Sequence, residues 1–205
     1  MKAQVLLLTA VIIIGALVAL KAYSIISQIS TERDILDVSL EDSVFANTNN
    51  EIKEIIQTSI TNPQTILDHS IDFLNFTRTG SNRHSLDFSA LYVGVLANST
   101  NQTMNITIFN FLEKTNLNVT IKLNTSVVQT NSTLLNDSGI WINNFTFTNG
   151  QTYNLTVTLP TENYEENITV QTRNNKDTYT GFFDIRLISL RAVHVNKFQQ
   201  NVKIS

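Results

Sequence analysis

From about Asp87 to the C-terminus, apolar side chains recur at every second position, and that period limits the fold more than any other feature of the chain. A strand turns successive side chains to opposite faces, so such a stretch has to form sheets with at least one buried face. Met104, Ile106, Ile108 and Leu112 make one inward set, and Leu117, Val119, Ile121 and Leu123 make another. Residues 88 to 96 (FSALYVGVL) are apolar at both parities, which is what a central strand covered on two sides requires. Further strands are expected near 167–173 and 179–195. About seven short strands with no long helix between them imply an antiparallel sandwich. It is Ig-like only loosely, because the chain has no cysteine and lacks the Cys-Trp-Cys hallmark.

Parity also predicts two hairpins. Closing Glu113 to Asn116 as a four-residue loop pairs Leu112 with Leu117 and Ile108 with Ile121. Around Asn149-Gly150 a two-residue turn sets Phe147 opposite Thr152 and Phe145 opposite Asn154, placing each aromatic against a polar residue. A three-residue loop, Thr148-Asn149-Gly150 with Gly150 left-handed, pairs Phe145 with Tyr153 and Trp141 with Val157 instead. Phe109 and Phe111 then share a face with Asn105 and Asn118. A helix of the same chain is the first choice to cover them, a neighbouring subunit the second.

Upstream the pattern is helical. Gln4 to Leu20 is seventeen residues without a charge, flanked by Lys2 and Lys21. As a helix it spans roughly 25 Å, at the short end of what crosses a bilayer, and its aliphatic residues give roughly 3–7 kcal/mol of insertion free energy. Ala22, Ile25, Ile26, Ile29, Arg33, Leu36, Leu40 and Val44 continue at three- and four-residue spacing, predicting an amphipathic stalk to about Phe45. Two neck helices follow. One buries Ile52, Ile55, Ile56 and Ile60 after the candidate caps Asn49 and Asn50. The other opens at Asn62-Pro63, presents Ile66, Leu67, Ile71, Phe73, Leu74 and Phe76, and stops at Thr79-Gly80-Ser81-Asn82. The expected fold class is therefore α+β: a leader (1–3), a long hydrophobic and amphipathic N-terminal helix (4–45), a helical neck (46–85) and an antiparallel β-sandwich head (86–205).

The fate of the apolar segment turns on where the chain is cut. A secretory signal has only Ala22-Tyr23-Ser24 as a cleavage site, and Lys21 sits badly for it. An uncut signal anchor needs nothing further. The third option rests on Lys2-Ala3-Gln4-Val5. A basic residue, a small residue, then Gln and an aliphatic residue abutting the apolar run resembles the class III signal peptide of archaeal type IV pilin-like precursors. The resemblance implies cutting after Ala3 by a prepilin-type peptidase, with Lys2, Ala3 and Gln4 as the processing residues. It also implies a homo-oligomer or filament packed through residues 4–30, and an adhesive or structural head at the cell surface. Bacterial pilins carry glutamate at the fifth mature residue, where this chain has Leu8, so only the archaeal type is compatible. The expected location is the cell membrane, single-pass with the N-terminus inside, or an extracellular surface filament. The rival expectation is a monomeric membrane-tethered β-sandwich module that recognises carbohydrate or protein.

Composition narrows the function. With 14 basic and 17 acidic residues the chain has no basic face for phosphates, so no nucleic-acid partner is expected. Asn, Ser and Thr number 25, 16 and 26, and eleven Asn-x-Ser/Thr acceptors occur where chance gives about five. They are Asn75, Asn98, Asn101, Asn105, Asn118, Asn124, Asn131, Asn136, Asn144, Asn154 and Asn167. Several have an apolar middle residue, so alternation aims Asn and Thr at solvent and the middle residue at the core. N-glycans are thus the expected modification, although an Asn/Thr-rich strand face generates the same motif without sugars. The histidines, His69, His84 and His194, have no metal-binding spacing, and there is no phosphate cradle or nucleophile elbow. Asp184 and Arg186 read as a paired polar surface. No cofactor and no enzymatic activity are expected.

Overall fold

The computed structural model describes residues 21, 41–58, 63–83, 86–125, 128–189 and 192–204. The chain divides into two compact units, Met1–Val44 and Phe45–Ser205. Of the first, residue 21 and residues 41–44 are described, and all are helical. Two helices, α1 (41–58) and α2 (Pro63–Arg83), are followed by nine strands. These are β1 (Asp87–Asn98), β2 (Thr103–Phe111), β3 (Leu117–Leu123), β4 (Gln129–Leu135), β5 (Ile140–Thr146), β6 (Thr152–Leu159), β7 (Tyr164–Gln171), β8 (Thr178–Ile188) and β9 (Val193–Lys203). They form a five-stranded sheet ordered β5-β2-β1-β8-β9 and a four-stranded sheet ordered β4-β3-β6-β7, both antiparallel throughout.

The expected class, α+β with a long N-terminal helix, is corrected by this arrangement. The described residues are mostly β, and no long N-terminal helix is among them. More chain goes into strands than expected because the stretch near 179–195 is two strands of 11 residues each, and the polar segment Gln129–Leu135 is another. Among the described residues no helix is long and apolar enough to cross a membrane. The segment 4–20, most of the stalk, and the processing residues Lys2, Ala3 and Gln4 lie outside the described residues.

Both predicted hairpins are corrected as well. β2 and β3 lie in different sheets, and so do β5 and β6, so Glu113–Asn116 and Thr148–Gly150 carry the chain from one sheet to the other. Ile108 and Ile121 do share the core, coming to it from opposite sheets rather than along a ladder. Gly150 is left-handed, with φ +73°, as the turn reading required. Phe147 and Tyr153 meet edge-on at 6.1 Å across that crossing.

The helix boundaries also shift. Asn49 and Asn50 lie inside α1, and Asn49 donates back to the Phe45 carbonyl at 2.8 Å. α2 runs through Gly80 to Arg83 because its last turn is held on the sheet, with Ser81 buried and its carbonyl accepting from the Leu86 amide at 3.1 Å. That anchoring offsets the roughly 1 kcal/mol a mid-helix glycine costs.

β1 is covered on both faces, as its sequence requires. Leu91, Val93 and Val95 join the sandwich core with Ile106, Val119, Leu155 and Ile168. On the opposite face a row of directly paired residues crosses the whole five-stranded sheet: Ile140, Phe109, Tyr92, Phe183 and Phe198. Tyr92 stacks on Phe183 at 4.7 Å, and Phe183 on Phe198 at 5.3 Å. The helices close this layer. Lys53 of α1 lies 5.4 Å over Phe198, and the guanidinium of Arg78 of α2 lies 3.5 Å over Phe111, so a helix covers Phe111, and Phe109, 5.2 Å from it, is buried beside it.

The paired glycines Gly94 and Gly181 make room within this layer. The hydroxyls of Tyr92 and Tyr179 hydrogen-bond to each other above them, and a Cβ on Gly94 would stand 2.5 Å from the Tyr92 hydroxyl oxygen.

Candidate functional site

None of the eleven sequon asparagines is buried; eight are exposed and Asn98, Asn105 and Asn118 are half-buried. Their surroundings differ. Asn75 projects from α2, but its partner Thr77 is buried and donates to the Phe73 carbonyl at 2.9 Å. Asn98 and Asn101 share the β1–β2 turn, where the Asn98 Oδ1 accepts from the Asn101 amide at 2.9 Å. Asn136 precedes Asp137, whose carboxylate takes two 3.1 Å hydrogen bonds from Arg78; Arg78 also donates to the Ser138 hydroxyl and the Phe111 carbonyl. Burial raises the Asp137 pKa, but Arg78, the Glu113 amide and Ser138 outweigh it and hold the carboxyl below the ordinary aspartate value. Asn124, Asn131 and Asn144 lie at strand ends and edges, all exposed.

Asn118, Asn154 and Asn167 occupy one surface, the outer face of the four-stranded sheet. The pleat puts Val119, Leu155 and Ile168 fully in the core and turns the flanking residues outward. Register sets Leu134 beside Asn118, then Ser132, Thr120, Thr158 and Glu165 in one row, and Thr130, Lys122, Thr156 and Asn167 in the next. Asn154 stands opposite Thr169, and Thr152 opposite Gln171. No residue of this face is buried, and its charged members are Lys122 and Glu165. It is a sheet of hydroxyl and amide groups. Parity predicted its outward aim; that three sequons share it follows from strand order, which the sequence did not reveal. Asn118 and Asn105, expected on one face, lie on different sheets.

At one end of the sandwich a cleft of about 620 Å³ is lined by Asn124, Gln129, Thr146, Phe147, Gln151 and Tyr153 among others, with no charged group. The Gln129 amide donates to the Thr146 carbonyl at 3.0 Å, and the Tyr153 hydroxyl both accepts from the Thr148 amide and donates to its carbonyl. Such a lining offers hydrogen-bond donors and acceptors and holds no group that titrates near neutral pH.

Asp184 and Arg186, read as a paired surface, are paired but not at the surface on the acid's side. Asp184 is fully buried and accepts from Arg186 Nη2 at 2.9 Å, with Lys197 Nζ 4.0 Å away. Lys197 also donates to Glu166 at 2.7 Å and lies 4.5 Å over the Tyr164 ring. Burial, with the charges of Asp184 and Glu166, drives the Tyr164 hydroxyl far above the ordinary tyrosine pKa, so it stays protonated. This seam ties β7 to β8 and β9. His69 lies in α2, His194 in β9 beside Phe45 at 5.4 Å, and His84 lies outside the described residues. Among the described residues no three His, Asp or Glu side chains gather where a metal ion could sit. No protein-family model, no curated protein and no solved structure matches this chain.

Proposed function

We propose that the chain is an extracellular structural glycoprotein, a pilin-like surface subunit processed after Ala3 and held in a membrane or filament through its apolar N-terminal segment. One combination carries this reading: an uncharged run directly behind Lys2-Ala3, joined to a β-rich unit on which eight of the eleven sequon asparagines are exposed. Apolar segments shielded from water hold subunits or anchor them, and the heads make outward contacts, so the mechanism is packing rather than bond chemistry. A sugar-coated face protects sheets that carry few charges.

N-terminal sequencing of the native protein tests it. A mature start at Gln4 is the expected result, and changing Ala3 to Trp is expected to block processing. A start at Ile25 in freely dissolved protein overturns it. The second reading, a monomeric membrane-tethered single-pass module that recognises carbohydrate, draws on the neutral cleft at the sandwich end. Electron microscopy of shed surface material separates the two: filaments that label along their length with antibody to this chain favour the first, and isolated heads the second.

A further inference from the structure

We infer that N-linked glycans are carried on the outer face of the four-stranded sheet, at Asn118, Asn154 and Asn167, and that Asn105, under α2, carries none. This rests on the glycoprotein reading and sharpens it to positions. At each of the three sites the middle residue of the sequon is fully buried, so the strand cannot rotate its Asn and Thr away from solvent. Thr156 donates to Asn167 Oδ1 at 2.7 Å, which holds the amide oxygen and leaves the nitrogen as the end facing water.

Leu134 supplies an independent observation. It is 66% exposed, an apolar side chain on a face of hydroxyls and amides, and it is directly paired with Asn118. Directly paired residues have Cβ atoms about 5 Å apart, so the first sugar on Asn118 lies over Leu134 and covers it.

Asn105 shares the buried middle residue, Ile106, but differs in its surroundings. Its Oδ1 is buried without a partner, and its sequon threonine, Thr107, is buried. The cleft there, lined by Leu67 of α2, Asn105, Thr107 and Ile142, holds about 50 Å³, less than a sugar ring. A glycan at that position and α2 in its place exclude each other.

The modification forms a bond from Asn Nδ2 to the anomeric carbon of a glycosyl phosphate ester donor. The carbon–oxygen bond to phosphate breaks with its electron pair, and the amide nitrogen loses one proton; nothing is oxidised or reduced. Mass spectrometry of peptides from the native protein reads the map. Sugar on Asn118, Asn154 and Asn167 with Asn105 bare is expected. Sugar on Asn105, or any of the three bare while other positions are modified, overturns the inference, whereas a chain with no sugar anywhere ends the glycoprotein reading itself. A second measurement uses the intact glycoprotein: Asn118→Gln is expected to raise binding of a hydrophobic dye several-fold and Asn154→Gln to leave it unchanged. Equal dye binding by both variants overturns the role given to the Asn118 sugar.

Discussion

The two sheets of this molecule obey the same pleat and yet expose opposite chemistry on their outer faces. On the five-stranded sheet one outward row reads Ile140, Phe109, Tyr92, Phe183 and Phe198. On the four-stranded sheet a corresponding row reads Ser132, Thr120, Thr158 and Glu165. What separates them is cover. α1 and α2 bring Ile52, Ile56, Ile66 and Leu74 down onto the first sheet, all fully buried, and no α-helix among the described residues lies on the second. A helix in a protein draws most of its stability from packing its apolar face, and the aromatic row is too apolar to face water, so each is the condition for the other. Strand sequence thus records whether a face has a cover, which makes the uncovered face the one to search for function.

The comparison breaks most readily at Tyr92. Tyr92→Ala removes the centre of the aromatic row and the partner of the Tyr179 hydroxyl, and is expected to cost about 3–5 kcal/mol in urea denaturation. A loss below about 1 kcal/mol would mean that the helix-covered layer is not a core. Gly94→Ala comes next. Its Cβ would meet the Tyr92 hydroxyl oxygen at 2.5 Å, forcing the ring off its place at a cost of about 1–3 kcal/mol; a neutral result would place the tyrosines elsewhere.

Alkaline pH probes the same layer more gently. Burial, first of all, raises the pKa of both Tyr92 and Tyr179 above the ordinary value. A raised folded-state pKa gives stability that is complete below the unfolded value, near 10, and lost as pH rises through the folded one. At pH 11 each shifted hydroxyl has lost roughly 1.4 kcal/mol. Urea midpoints of the wild type are therefore expected to fall between pH 9 and 11, and those of Tyr92→Phe/Tyr179→Phe to fall less. Parallel decline of the two proteins would assign the alkaline loss to other groups, with the Tyr164 seam first among them.

Much of this contrast was legible in the sequence, and the errors have one cause. Residues 88–96, apolar at both parities, announced a strand with two covers, and the polar flanks of Val119, Leu155 and Ile168 announced a strand with one. Parity tells which face a residue takes and is silent on which strand lies beside it. Ile108 and Ile121 occupy a common core whether they pair in a hairpin or face each other across a sandwich, so the two hairpins and the sheet crossings that replace them give the same alternation. The same silence hid the candidate site. Each sequon was visible as three residues, but the grouping of Asn118, Asn154 and Asn167 depends on β3, β6 and β7 being neighbours, and the occlusion of Asn105 depends on where α2 lies. Asp184 was misplaced for a related reason: the charges that let it be buried come partly from Lys197, a strand away.

The finest test applies one substitution to both sheets. Thr180 of β8 is 1% exposed and donates to Asn201 Oδ1 at 2.7 Å, so Thr180→Val removes a bond made by a buried hydroxyl, leaves Asn201 Oδ1 with the Gln199 side-chain amide at 3.1 Å, and is expected to cost about 1 kcal/mol. Thr158 of β6 lies on the uncovered face between Thr120 and Glu165. Valine keeps its shape and its β-branch, and water takes over whatever the hydroxyl bonded, so Thr158→Val is expected to stay within about 0.5 kcal/mol of wild type. The informative failure is a large effect at Thr158. A loss approaching that at Thr180, seen in native glycosylated protein and absent from protein stripped of sugar, would mean that the glycans themselves pack on the threonine rows and act as the cover this sheet otherwise lacks.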